Sequence, residues 1–140
     1  MAPFYLDTNV LIAIVEGTPP TADQTAFLQA LDGGELTART SELSLAECLV
    51  KPYAERNEQA IIAYLELLSG RASVAVEPIT GAVLLRATRI RAETRLKLPD
   101  AIHLAAALET GCATFLSDDR GIRGMKGVKV QSWNTYRHRS

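Results

Sequence analysis

Five carboxylates stand where this sequence changes from one kind of segment to another. Asp7 follows the apolar run "PFYL", Glu47 lies in "SLAECL", Asp100 follows Pro99 in "LPDAIHLAAA", and Asp118 and Asp119 close "ATFLSDD". Gathered in one place, such groups repel, so some must take up protons or a cation must join them. An oxygen-only ligand set suits Mg²⁺ or Mn²⁺ better than zinc. A hard cation that keeps several waters binds phosphate oxygen, activates a water and stabilises a leaving oxygen. Two such ions about 3.5–4 Å apart do this in phosphodiester cleavage, with no catalytic histidine. Each acid also has a plainer reading. Asp7 suits a turn, Glu47 a capping box with Ser44, Asp100 a helix dipole, and "SDD" a polar turn. His103, one turn after Asp100, reads as a satisfied, partly buried helix histidine before it reads as a general base.

The elements that would position these acids follow from the apolar periodicity. "PFYL" is a short strand, and "TNVLIAIVEG" is a helix that Thr8 or Asn9 can cap and Gly17 can stop. "QTAFLQALDGG" is helical, "LTART" is a strand, and Pro52 ends or bends the helix in "SELSLAECLVKP". "NEQAIIAYLELLSG" puts Ile61, Ile62, Leu65 and Leu68 on one helix face. After the strand "SVAVEPI", "TGAVLLRATRIRAETRLK" is a long helix with Val83, Leu84, Ala87 and Ile90 inward. Pro99 opens the next helix and Gly111 lies past its end. "ATFLSDD" and "GVKVQSW" are the last strands. Alternating strands and helices predict a three-layer α/β/α sandwich on a mostly parallel sheet, one domain over residues 1–140. In such sheets ligands bind at the carboxyl ends of strands, near a switch in strand order. Asp7 and Asp118/Asp119 end strands, and Glu47 and Asp100 sit in first turns of helices that can begin at that edge. Acids far apart in sequence therefore converge on one cleft.

The 140 residues are 47% hydrophobic and 22% charged, with a net charge of −1, ordinary for a soluble globular chain. That charge gives no whole-molecule attraction to nucleic acid or anionic membrane, so such binding must come from a local patch. Arg86, Arg89, Arg91, Arg95 and Lys97 run towards Asp100. They are either a solvated helix face or a grip on RNA phosphates. Lys51, Arg56 and the tail "YRHRS" are weaker candidates. Cys48 and Cys112 form no CxxC or Cys/His pattern, which argues for buried core residues and against a disulfide framework or zinc site. "VLIAIV" is too short to span a bilayer and follows an aspartate. Neither signal peptide nor anchor is evident, which points to the cytoplasm.

Taken together, "FYLDTNVLI", "SLAECL", "LPDAIHLAAA" and "FLSDD" resemble, in order and spacing over nearly the whole chain, the PIN-domain ribonucleases, and among them the VapC toxins of prokaryotic toxin–antitoxin pairs. By that resemblance Asp7, Glu47 and Asp100 match metal-site acids. Asp119 matches the fourth, with Asp118 placed to assist or substitute as a metal ligand. Ser117 stands at a Thr/Ser position of the family pattern. The "GI" after "SDDR" departs from that pattern and affects the following loop. The resemblance implies a Mg²⁺- or Mn²⁺-dependent endoribonuclease. It also implies a homodimer, inhibition by a co-expressed antitoxin that inserts near the acids, and a structured substrate such as tRNA or rRNA. The apolar helices of the first half, "IIAYLELL" included, would supply part of a dimer or antitoxin surface, or only core.

Other readings stay open at this point. A PIN-like module could bind RNA or protein without cutting, although all four acidic positions are filled. A PIN nuclease could work with no antitoxin. Asp7 could be the phosphoryl-accepting nucleophile of an α/β phosphohydrolase. "DTN", however, lacks a second aspartate two residues on, and the chain leaves little room for a cap domain.

Overall fold

The short apolar runs form the strands expected of them. In the computed structural model, which describes residues 2–17, 19–70 and 72–139, these are β1 (Phe4–Leu6), β2 (Ala38–Ser41), β3 (Val74–Glu77), β4 (Thr114–Ser117) and β5 (Lys129–Ser132). All pair in parallel, in the order β3-β2-β1-β4-β5. The helices are α1 (Thr8–Glu16), α2 (Ala22–Asp32), α3 (Glu42–Ala54), α4 (Glu58–Leu67), α5 (Gly81–Glu93) and α6 (Leu98–Glu109). The central strands are apolar on both faces because both are covered. Leu6 and Leu116 pack with α1 to α4 on one side, whereas Tyr5 and Phe115 pack with α5 and α6 on the other. This is the expected α/β/α sandwich.

The two layers fill their space differently. On the α1–α4 side, Phe27 meets Phe4, Trp133 and Tyr136 edge-on at ring separations of 5.0–5.8 Å. On the other side Tyr5 stacks on Phe115 at 5.1 Å, and α6 turns Ala101, Ala105, Ala106 and Ala107 inward, all fully buried. Alanine keeps the helix backbone close to the sheet, which brings His103 within reach of Tyr5. Cys48 and Cys112 are buried free thiols, as composition suggested. Burial first, then the neighbouring Glu47, pushes the Cys48 thiol up to about 12, so it behaves as a small apolar core residue.

Several local expectations are corrected. Asp7, not Thr8 or Asn9, caps α1, its side chain accepting from the Thr8 N–H. Ser44 does not form a capping box with Glu47. The cap of α3 is Ser41, Ser44 is inside the helix, and Glu47 is in its second turn. A capping box does occur at Thr21 and Gln24, ahead of α2. In α4 the buried positions are Ala60 and Tyr64, continued by Leu68. Ile62 and Leu65 are 55% and 44% exposed, leaving them free for another partner. In α5 Val83, Ala87 and Ile90 are buried, but Leu84 is exposed. Pro52 lies within α3, which ends two residues later.

The sheet switches direction between β1 and β4. From β1 the chain first builds outward through β2 and β3, then returns to build β4 and β5 on the other flank. The loops leaving the carboxyl ends of β1 and β4 therefore diverge and leave a crevice between them.

Candidate active site

Asp7 leaves β1 at that crevice and is 5% exposed. Its carboxylate is held from both sides. The Thr8 N–H donates to Oδ1 (2.8 Å), and Ser117 Oγ donates to Oδ2 (2.7 Å) across the β1–β4 seam. Asn9 ties the two strand ends together. Its amide N lies 3.2 Å from Ser117 Oγ, and its Oδ1 accepts from the Asp118 N–H at 3.1 Å. A buried charge needs such donors, and "DTN" supplies two of them within two residues.

Glu47 reaches the crevice from α3. Thr8 Oγ1 donates to Glu47 Oε1 (2.7 Å), and His103 Nε2 lies 2.6 Å from the same oxygen. The other ring nitrogen, Nδ1, is 2.8 Å from the Tyr5 hydroxyl, which in turn bonds Ser41 Oγ at 2.9 Å. Burial raises the Tyr5 phenol, so it stays a neutral hydrogen-bonding group. The His103 bond, followed by the opposing effect of burial and then by Thr8, leaves the Glu47 carboxyl below its ordinary value. His103 is thus the buried, satisfied histidine that its sequence setting suggested, and one of the groups that satisfies it is a candidate site acid. The sequence signal was available, since His103 follows Asp100 by one helical turn and shares its face.

Asp100 sits in the first turn of α6, after Pro99. Its carboxyl is raised, chiefly by burial and then by the charges of Asp119 and Asp7, with Glu47 adding a little and His103 opposing. Those influences place it among the other acids. The two acids after β4 separate. Asp118 Oδ1 accepts from Ser132 Oγ (3.1 Å) and the Asn134 N–H (2.8 Å), facing the end of β5. The Asp119 N–H donates to Ser117 Oγ (2.9 Å), and its Oδ1 accepts from the Gly121 N–H at 2.8 Å.

Asp7, Glu47 and Asp119 are therefore joined at one crevice through Thr8 and Ser117, and Asp100 lies close enough to feel the charges of all three. Among the described residues, no three carboxylate, thiol or imidazole groups already surround one point as a cage for a metal ion. Glu47 is turned to His103, and Asp119 to its own loop. The donor set still fits Mg²⁺ or Mn²⁺. The donors are hard oxygens, Asp100 is raised first by burial and then by the charges of Asp119 and Asp7, and Mg²⁺ commonly binds through one or two carboxylates and several waters.

The PIN domain family model matches residues 4–128. The chain belongs to the PIN-domain family. The PIN fold here is similar to that in VapBC2 of Rickettsia felis, solved bound to a fragment of promoter DNA (13% identity, TM-score 0.73, 93% of this chain and 98% of that one). A toxin–antitoxin complex of Klebsiella pneumoniae is 26% identical, with a TM-score of 0.64 over 89% of this chain and 93% of that one. VapC20 of Mycobacterium tuberculosis, described as a Sarcin–Ricin loop cleaving toxin, is 16% identical, with a TM-score of 0.60 over 80% and 86%. No curated protein matches in sequence.

Around the PIN crevice the basic residues divide. Arg86 pairs with Glu109 (2.6 Å) at the last residue of α6, nine residues and so about 13 Å along the axis from Asp100. Arg89 borders the same hollow as that pair. Arg137 and Arg139 of the tail line another hollow with Phe4, Thr114 and Lys129, the first residues of β1, β4 and β5. They therefore sit at the opposite end of the sheet, and Ser140 lies outside the described residues. Lys51 and Arg56 are at the end of α3 remote from β2. Among the described residues no helix is long and apolar enough to cross a membrane.

Proposed function

We propose that this PIN domain, spanning residues 1–140, is a Mg²⁺- or Mn²⁺-dependent endoribonuclease and the toxin of a toxin–antitoxin pair. What supports the reading is that Asp7, Glu47 and Asp119 are joined by hydrogen bonds at the β1/β4 switch point, with Asp100 under the influence of their charges. Asp7 is buried there and pre-oriented by Thr8 and Ser117. Those four acids would hold the metal, with Asp118 bracing the end of β5. A bound divalent ion would supply Lewis-acid polarisation of the phosphodiester and a lowered pKa for the attacking water. The chain's own part is orientation. Ser117 and the Thr8 N–H fix the plane of the Asp7 carboxylate, and His103 and Thr8 keep Glu47 ionised and aimed across the crevice. Burial and the charges of Asp119 and Asp7 raise Asp100, and a bound cation would act against that shift.

The toxin reading rests on the solved complexes of similar chains and on apolar residues left uncovered. Ile62 and Leu65 line a shallow groove with Ala72, and Val50 and Tyr53 of α3 are exposed. We assign this side to a second copy of the chain or to the antitoxin, in a cytoplasmic protein acting on tRNA or rRNA. The test is incubation of total RNA with purified, antitoxin-free protein in Mn²⁺, Mg²⁺ or EDTA, beside Asp7→Asn. Discrete products that need metal and vanish in the variant support a nuclease. Absence of cleavage by folded protein across metals and RNA pools leaves a binding module.

A further inference from the structure

Beside the acids lies a hollow of about 500 Å³ whose lining includes Arg95, Leu96, Gly121, Arg123, Gly124 and Met125. It is built from two segments that each carry an acid. Residues 94–96 lead into Asp100, and residues 121–125 leave Asp119, with the Gly121 N–H bonded to Asp119 Oδ1. Anything seated here touches the segments that hold two of the four acids. The floor is apolar, as Leu96 and Met125 are partly buried against the α5–α6 core. The rim is cationic, and among the described residues neither Arg95 nor Arg123 has an ion-pair partner, unlike Arg86 and Arg39. Gly121 and Gly124 let this segment pack closely on Asp119 and on the chain entering β5. A Cβ on Gly121 would stand 3.2 Å from Asp119 Oδ1, and one on Gly124 3.0 Å from the Val128 carbonyl.

We infer that this hollow is a subsite for one nucleotide of single-stranded RNA adjoining the cleaved phosphodiester. An apolar floor between unpaired guanidinium groups matches the two chemistries of a nucleotide. The base stacks on apolar or guanidinium planes, and the phosphate takes the charge-assisted hydrogen bonds. The volume lies in the range of roughly 300–1,000 Å³ usual for small-ligand sites. The inference rests on the nuclease reading for its substrate, and its test separates the two.

The measurement is binding of a labelled single-stranded RNA decamer to the Asp7→Asn chain in EDTA, over a series of salt concentrations. Arg95→Ala and Arg123→Ala should each weaken binding several-fold and flatten the log–log salt slope by about 0.7, the share of one phosphate contact on a single strand. The Arg137→Ala/Arg139→Ala double variant removes two charges from the far end of the sheet and should leave both quantities unchanged. A decamer without bases should bind more weakly than the RNA, and equal binding would overturn the nucleotide assignment in favour of a bare phosphate contact. If Arg95→Ala and Arg123→Ala bind as their parent does while the unsubstituted chain cuts RNA, the subsite is refuted and the nuclease stands. If the arginine variants lose binding but no metal supports cleavage, the hollow binds a nucleotide without a cleaved bond beside it, and the nuclease reading falls.

Discussion

At the carboxyl end of the sheet, Asp7, Ser41 and Ser117 are buried and each is hydrogen-bonded, the seryl hydroxyls to Tyr5 and Asp7. At the amino end, Phe4 and Thr114 border a hollow whose cationic lining is Lys129, Arg137 and Arg139. The carboxyl end carries cations too, Arg95 and Arg123 among them, but differs in burying a carboxylate and hydroxyls that hold one another. In a parallel sheet the two ends are not equivalent. The helix N-termini of α1 and α3 follow β1 and β2 at the carboxyl end, and their free N–H groups favour anionic side chains there. The two ends therefore differ in their buried, hydrogen-bonded acid and hydroxyls rather than in the presence of cations.

The largest effect should come from Asp7 and Asp100. Asp7→Asn or Asp100→Asn is expected to cut metal-dependent RNA cleavage by about 10²–10⁴-fold, the span that one positioned chemical participant contributes. Circular dichroism should show the fold retained. Arg137→Ala with Arg139→Ala should leave the rate within about twofold under the same assay, because surface charges at the remote end act only through a screened field. Loss of cleavage from the tail variant, with cleavage kept in both acid variants, would invert the comparison.

Next in size is His103. His103→Ala removes the groups that hold Glu47 and the buried Tyr5 hydroxyl, so Mn²⁺ affinity measured by titration should fall about 10–100-fold. Stability should drop as well, by roughly 1–3 kcal/mol, because a buried ring leaves a cavity and the Tyr5 hydroxyl keeps only its bond to Ser41. Unchanged Mn²⁺ affinity would reduce His103 to core packing.

The pair after β4 gives a sharper, smaller contrast. Asp119→Asn should impair cleavage more than Asp118→Asn. Asp118→Ala should instead cost about 1 kcal/mol of stability, through its bonds to Ser132 and Asn134 at the end of β5. The reverse ranking in the cleavage assay would move the fourth acid to Asp118.

The smallest effect is the pH dependence of the metal-free melting temperature. Asp100 is raised by burial and by Asp119 and Asp7. Its ionisation therefore subtracts stability as pH climbs from the ordinary value of 3.8 through the raised one, and the deficit remains above it. Asp100→Asn should melt a few degrees higher at neutral pH, and that advantage should vanish in acid below the ordinary value. Glu47 has the opposite sign. Its stabilisation is present above the ordinary 4.5 and is lost as pH falls through its lowered value. Glu47→Gln should melt lower at neutral pH. Equal curves for all three proteins would mean that burial and neighbouring acids do not act on Asp100 and that His103 does not stabilise ionised Glu47.

Much of this arrangement could be read along the chain. Each strand is a short apolar run between turn residues, Pro99 and Gly111 bracket α6, and the acids fall where strands end. The errors share one cause. Ser44 and Glu47 have capping-box spacing, but the chain stays extended only as far as Ser41, because Ala38–Ser41 pairs with β3 and starts the helix earlier. Ile62 and Leu65 have the periodicity of a core face, yet Ala60 and Tyr64 take that place. Only a small and a long residue fit the gap beside α1 and α3, with the Tyr64 hydroxyl bonded to Glu16. Periodicity gives the presence of an apolar face but not which neighbour covers it.

The sequence by itself determined the kinds of element, their order and the residues at strand ends, because backbone propensity, apolar alternation and helix punctuation are local properties. Only the tertiary structure decided that β1 lies between β2 and β4, so that Asp7 and Ser117 meet across a seam 110 residues wide in sequence. It also turned Asp118 towards β5 and Asp119 towards its own loop, joined His103 to Glu47, and left Arg95 and Arg123 without an ion pair among the described residues while Arg86 was neutralised by Glu109. Those outcomes depend on which surfaces are buried against one another, and burial is a property of the whole packed chain.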